Sequence, residues 1–194
     1  PTMTDADVMQ FILDGYVALE GIVADDFNRS CDDLPAGGSN DFIQSDEYIE
    51  QVLMLPEVAG VARSLLGEGF ELPTIGHHHL YEAPHVGQTW HTDGLSGDGY
   101  DVTTLQCFYY PQHVDIEDGP TMILPGSHHR VVDREAIAHY GDIRGQKSLT
   151  VPAGTVVLTR FGLWHKAGPK VNDRRRGMVK WSYRRNAKPR RDWL

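Results

Sequence analysis

From Glu71 onward the chain divides into short runs rich in β-branched and aromatic residues. These are "ELPTIGHHHLYEA", "QTWH", "VTTLQCFYY", "TMILP", "SLTVPAG", "TVVLTRF" and "RGMVKWSYR", each bounded by glycine, proline or aspartate. Runs this short with turn chemistry at both ends read as strands rather than buried helices. Seven or eight such strands in succession restrict the fold to a sandwich or a barrel. Only "DREAIAHYG" interrupts them, with a helical turn or two.

The segment before Glu71 has a different texture. Thr4 and Asp7 form a weak capping box that opens a helix to about Leu13, Gly15 ends it, and "YVALE" alternates like a strand. "DEYIEQVLML" and "PEVAGVARSLL" read as two helices, the second with Pro56 in its first turn and Gly67 as its stop. "DDLPAGGSND" reads as a flexible loop. The expected organisation is one domain over 1–194, with a helical flank over about 1–70 and a β core over about 71–185. With 40% apolar residues the chain can bury a core without staples.

Charge and cysteine usage exclude several functions. A net charge of −9 argues against a nucleic-acid binder. No apolar run approaches the roughly 20 residues of a membrane span, and acids stand where a leader needs basic residues. Cys31 and Cys107 make no metal-ribbon or disulfide framework, which suits a reducing cytoplasm. The basic residues are unevenly placed: twelve of the eighteen Lys and Arg lie from Arg160 onward. Arg160, Lys166, Lys170, Arg174 and Arg176 gather around the segment carrying His165, and a cleft of one sign concentrates opposite charge. An anionic small molecule is therefore an expected substrate, with a solvated basic face as the alternative.

The chemistry centres on histidine. Two His-x-Asp pairs occur, His91-Thr92-Asp93 and His113-Val114-Asp115. On a strand, side chains two apart share a face, so His91 and Asp93 can reach one ion while Thr92 points away. His113 lies in the acid-rich "PQHVDIEDGP", which reads as an exposed turn. A second histidine completes a facial triad that leaves open positions on iron. His165, delivered by "TVVLTRFGLWHKAG" just after an apolar strand, is the best candidate.

"WHTDG", "EDGPTMILPGSH" and "WHKAGPKVNDRRRGMV" together resemble the phytanoyl-CoA dioxygenase family of Fe(II)/2-oxoglutarate oxygenases, over roughly residues 5 to 185. The resemblance implies a double-stranded β-helix (jelly roll) with His91, Asp93 and His165 as iron ligands. It implies Fe(II), 2-oxoglutarate and O2 as cofactor and co-substrates, and hydroxylation of a small molecule with release of succinate and CO2. It makes "GPTMILPGSHH" a structural signature whose Pro125-Gly126 turn closes the pocket mouth, while turn chemistry favours a backbone-capping role for Ser127 and His128. Related halogenases replace the carboxylate with a small residue, so Asp93 points to an oxygenase outcome.

2-Oxoglutarate needs a buried cation for its distal carboxylate, and arginine's fork suits it. Arg174, Arg175 and Arg176 stand about ten residues after His165, as the family pattern expects. Strand alternation groups Arg175 with Gly177, Val179, Trp181 and Tyr183, the more core-like face, and Arg176 with Met178, Lys180, Ser182 and Arg184. Arg175 is the choice on that pattern and Arg176 the runner-up. Phe108 aligns with an aromatic that lines the co-substrate pocket in relatives. In "GHHHLYEAP", His77 and His79 share a face that either contacts substrate or packs on an outer sheet. Desaturation, epimerisation or cyclisation is the alternative within the family. A cupin-like metal-binding protein without oxygenase activity and a carbohydrate-binding jelly roll are the alternatives outside it, and oligomeric state is left open.

Overall fold

The computed structural model describes residues 3–39, 41–94, 101–130, 133–186 and 188. The glycines that follow Asp93 at Gly97 and Gly99 lie outside them. Helix α1 (Asp5–Asp14) begins with a reciprocal cap: the Thr4 hydroxyl accepts from the Asp7 amide at 3.2 Å, and the Asp7 carboxylate accepts from the Thr4 amide at 2.9 Å. Gly15 closes it in the left-handed region, φ 83°, where its N–H donates to the Phe11 carbonyl. A side chain on Gly15 would collide with the His128 ring, so the glycine also lets the helix end seat on a distant loop.

Strand β1 (Tyr16–Leu19) follows, then α2 (Asp25–Ser30), a helix the sequence does not announce because Ala24 offers no capping side chain. The stretch read as a loop contains a short strand, β2 (Gly37–Ser39), paired with β3 (Gly76–Tyr81). "DEYIEQVLML" is not one α-helix: a single turn, α3 (Asp46–Tyr48), runs into a π-helical turn over Ile49–Leu53. Helix α4 (Pro56–Leu66) keeps its expected bounds.

The remaining elements are β4 (Thr104–Tyr110), β5 (Thr121–Ile123), α5 (Arg134–Ile137), β6 (Lys147–Ser148), β7 (Thr155–Arg160), β8 (His165–Ala167) and β9 (Arg176–Arg184). They form a six-stranded sheet, order β1-β7-β4-β9-β3-β2, and a three-stranded sheet, order β6-β5-β8, with every pair antiparallel. The fold is a double-stranded β-helix (jelly roll) with N-terminal helices. "QTWH" makes no strand of its own; His91 forms an isolated bridge with His165 instead.

The middle strands of the larger sheet, β7, β4 and β9, are buried on both faces, and this governs the site. One core lies between that sheet and the helices: Cys107 and Tyr109 of β4, Val156 and Leu158 of β7, and Val179, Trp181 and Tyr183 of β9 pack against residues such as Tyr48, Val52 and Leu65. A second core lies inside the roll, where Phe108, Tyr110, Val157 and Met178 meet Ile123, Leu149 and Val151. A strand covered on both sides need not alternate apolar with polar. Thus β4 is buried at every position after Thr104. Among the described residues, no helix is long and apolar enough to cross a membrane.

Candidate metal centre and co-substrate pocket

The backbones of His91 and His165 exchange two hydrogen bonds, each 3.0 Å, which sets the two residues side by side with ring centroids 4.4 Å apart. The Nδ1 of each ring meets a carbonyl oxygen two residues earlier, Thr89 at 2.9 Å and Leu163 at 3.0 Å. A carbonyl only accepts, so Nδ1 holds the proton and the Nε2 lone pair is left for a metal. Asp93 Oδ2 lies 3.6 Å from His165 Nε2, and one ligand atom from each of the three residues falls within 4.8 Å of the others. Burial, then the neighbouring His165, lowers the His91 pKa and favours its neutral, ligating form. Thr92 is buried on the opposite side. Gly94 is required sterically, because the Phe161 ring covers the place its side chain would take.

Asp93 has two further neighbours that sequence reasoning did not single out. Lys180 Nζ donates to Oδ2 at 2.7 Å, and the Gln106 amide donates to the same oxygen. Burial alone would raise the Asp93 pKa, but its contacts with His165 and with the Lys180 ammonium hold it far below the usual carboxylate range. Asp93 is therefore an anion ready to ligate.

Behind the histidines is a small cavity of about 40 Å³, lined among others by His79, Tyr81, Phe108, Thr121 and Arg176. Arg176 is 1% exposed. Its Nη2 donates to Thr121 Oγ1 at 3.0 Å, and its guanidinium carbon lies 4.7 Å from the Tyr81 ring centroid and 5.9 Å from that of Tyr110. Nε and Nη1 have no hydrogen-bond partner, and no acidic side chain among the described residues pairs with it. A buried cation in this condition costs several kcal/mol until an anion arrives. The chemistry that fits is a carboxylate offering two acceptors. Phe108 borders the same space, 5.5 Å from the His165 ring.

The structure turns Arg175, the arginine expected to meet the co-substrate, away from the small cavity. Arg175 is half exposed on the outside, 4.0 Å from Asp32, and Arg174 pairs with Asp118 at 3.0 Å. The grouping of residues by face was right, but the more apolar face of β9 is the one under the helices. The face turned into the roll carries Arg176, Met178 and Lys180 and is polar because it serves the cavity. Gln106 and Tyr110, two positions either side of Phe108, could have been found by the same alternation.

His77 lines a larger cleft of about 570 Å³ that also reaches Asp93, Gln106 and Lys180, while His79 lines the small cavity. Burial, then Lys180, pushes the His79 pKa down to about 3, so its ring is neutral there. His78 turns outward and bonds the Leu34 carbonyl at 3.1 Å.

Of the basic strip, Lys166 and Arg176 border the small cavity, and the others are held elsewhere. Arg160 donates to the Asp101 carbonyl, Lys166 to the Gly141 carbonyl, and Lys170 is buried on Asn172. Arg160, Lys166 and Lys170 thus each donate to an internal oxygen. His113 is exposed, as its turn chemistry suggested. Ser127 Oγ accepts from the Trp164 amide at 2.9 Å, and the His128 ring bonds the Ile12 carbonyl at 2.8 Å. The Pro125-Gly126 turn packs on α1, where the Gly126 amide donates to Asp14, and lines neither cavity.

Comparison with known proteins places this geometry. The profile of the family Phytanoyl-CoA dioxygenase (PhyH) matches residues 29–178. The chain belongs to the phytanoyl-CoA dioxygenase family. It is a non-haem oxygenase dependent on iron(II), 2-oxoglutarate and O2. Among solved structures, HygX from Streptomyces hygroscopicus with nickel and 2-oxoglutarate bound superposes with a TM-score of 0.73 at 17% identity, covering 95% of this chain and 88% of that one. The 2-oxoglutarate-dependent carbocyclase SnoK from nogalamycin biosynthesis gives 0.72 at 19% identity, covering 94% and 84%. The epimerase SnoN from the same biosynthesis gives 0.68 at 19%, covering 91% and 80%. No curated protein matches the sequence.

Proposed function

We propose that this chain hydroxylates a small organic molecule, with His91, Asp93 and His165 holding the iron and Arg176 holding the distal carboxylate of 2-oxoglutarate. The observation that carries this reading is the buried, unpaired guanidinium of Arg176, which opens onto the same cavity as both histidines. A metal-binding protein without oxygenase chemistry has no use for such a cation. When bound, iron and 2-oxoglutarate activate O2 to attack an unactivated C–H bond, releasing succinate and CO2.

The chain's own groups do the rest. Carbonyl bonds at Thr89 and Leu163 fix the tautomer and aim of both rings, and Gln106 orients the Asp93 carboxylate. Tyr81 and Tyr110 hold the guanidinium flat, and Phe108 keeps water from the wall beside His165. Substrate enters by the larger cleft, where His77 is a wall residue. The two free, buried thiols, Cys31 and Cys107, support a reducing compartment such as the cytoplasm.

The test is metal content and product analysis. His91→Ala, Asp93→Ala and His165→Ala lose bound iron and succinate release, and His113→Ala keeps both. Equal iron loss in His113→Ala would show that the wrong His-x-Asp pair was chosen. A product that gains one oxygen atom identifies hydroxylation; one that loses two hydrogens identifies desaturation or ring closure and overturns it.

A further inference from the structure

Lys180 is an unusual residue for its place. It sits in mid-strand on β9, faces into the roll, and has a side chain 26% exposed, with Nζ 2.7 Å from Asp93. It borders both the small cavity and the 570 Å³ cleft, so it stands between the co-substrate side and the open side of the site. Among the described residues, the acids along that cleft are Asp93 and, at its exposed rim, Glu71, which is tied by backbone bonds to Arg184.

Asp93 is bonded by Lys180 and Gln106 and is also placed to ligate a metal. Once it ligates a divalent ion, its negative charge is committed to that ion, and Lys180 no longer has a counterion of its own. The charges of the loaded site then fail to balance on one side only. Iron(II), Arg176 and Lys180 bring four positive charges, whereas Asp93 and the 2-oxoglutarate dianion bring three negative, with the histidines neutral. Arg176 is enclosed behind the metal centre, so the unmatched charge is the ammonium at the edge of the cleft.

We infer that Lys180 recognises a carboxylate on the substrate, which makes this residue the specificity determinant of the open cleft. The inference rests on the proposed metal and co-substrate sites. One unmatched positive charge calls for one negative charge, which a carboxylate supplies, whereas a phosphate monoester overshoots. The polar lining of the cleft by Gln106, Thr74, Ser182 and His77 offers hydrogen-bond partners beside the ammonium.

The experiment uses the full chain loaded with zinc and 2-oxoglutarate without oxygen. Fragment-sized carboxylates, each paired with its neutral amide, and phosphate monoesters paired with their alcohols are screened for binding by ligand-observed NMR. Carboxylates are expected to bind at least tenfold tighter than their amides. The preference disappears in Lys180→Met and persists in Lys180→Arg, when both variants are compared at concentrations that saturate them with zinc and 2-oxoglutarate. Absence of a carboxylate preference in wild type, its survival in Lys180→Met, or a stronger preference for phosphate monoesters overturns the inference. Loss of 2-oxoglutarate binding in Lys180→Met also overturns it, by assigning the lysine to the co-substrate. Failure of the wild-type chain to take up zinc and 2-oxoglutarate sinks the underlying functional reading instead, before any substrate analogue is added.

Discussion

At the scale of single residues, the adjacent pair Arg175 and Arg176 separates a surface charge from a buried one. Arg176→Ala removes a buried cation beside the histidines, and losing one partner of a buried pair costs on the order of 3–5 kcal/mol. The 2-oxoglutarate dissociation constant should therefore rise by roughly two to four orders of magnitude with iron binding intact, while Arg175→Ala stays near wild type. Titration of the visible charge-transfer band of the iron and 2-oxoglutarate complex measures both. A large effect in Arg175→Ala would reverse the assignment. The clustering of His91, Asp93 and His165 was legible in the His-x-Asp spacing and in the apolar strand that leads to His165. Lys180 and Gln106 were not, since a lysine and a glutamine on a strand carry no signal until the fold shows which face is inward.

At the scale of elements, the end of α1 is joined to the turn after β5 by His128, whose Nε2 donates to the Ile12 carbonyl and whose Nδ1 is buried without a partner. Burial is the main reason its pKa falls to about 4; His129 and Arg160 push it further down, and the Ile12 bond and Asp14 push back. The folded state thus favours the neutral ring. In the unfolded chain the group titrates near 6.5. The contribution is therefore complete above about pH 6.5, is lost as the pH falls from there to about 4, and is constant below. His128→Gln keeps a donor toward Ile12 without a titrating ring, so its melting temperature should fall less than that of wild type across this window. Parallel curves would show that His128 does not contribute to acid sensitivity. Elements with strong local punctuation, such as α1 with its cap and α4 with Pro56 and Gly67, were readable from sequence. Helix α2, the π-turn and β2 were not, because their stability comes from packing on the large sheet and not from local propensity.

At the scale of the whole molecule, metal binding should register as stability. His91 and His165 are bridged where β8 joins the smaller sheet, while Arg176 and Lys180 belong to the larger one. Ligands that bridge the two sheets bind only when the roll is closed. At a hundredfold excess over the dissociation constant such binding adds about 2.7 kcal/mol. For a chain of this length that corresponds to a rise in melting temperature of about 5–10 °C. Zinc with 2-oxoglutarate should produce it in wild type and not in His165→Ala, as read by scanning fluorimetry. No shift in wild type would mean that the sheets are not joined by the site. The roll itself was legible because seven β-prone runs leave few other folds. The inversion of the β9 faces was not, since a sheet covered on both sides hides which face is the interior.

The alternation of β9 has one more consequence. Arg176, Met178 and Lys180 mark equal intervals along a straight strand, about 13 Å from first to last at the usual rise per residue. The strand is in effect a ruler: Arg176 at one end borders the small cavity, and Lys180 at the other borders both that cavity and the open cleft, beside Asp93. An inhibitor for this enzyme can be drawn to that scale: a rigid rod bearing two carboxylates at the spacing of the outer marks, less the reach of two side chains, with a metal-binding group between them. Its length would be dictated by the pleat of one β-strand.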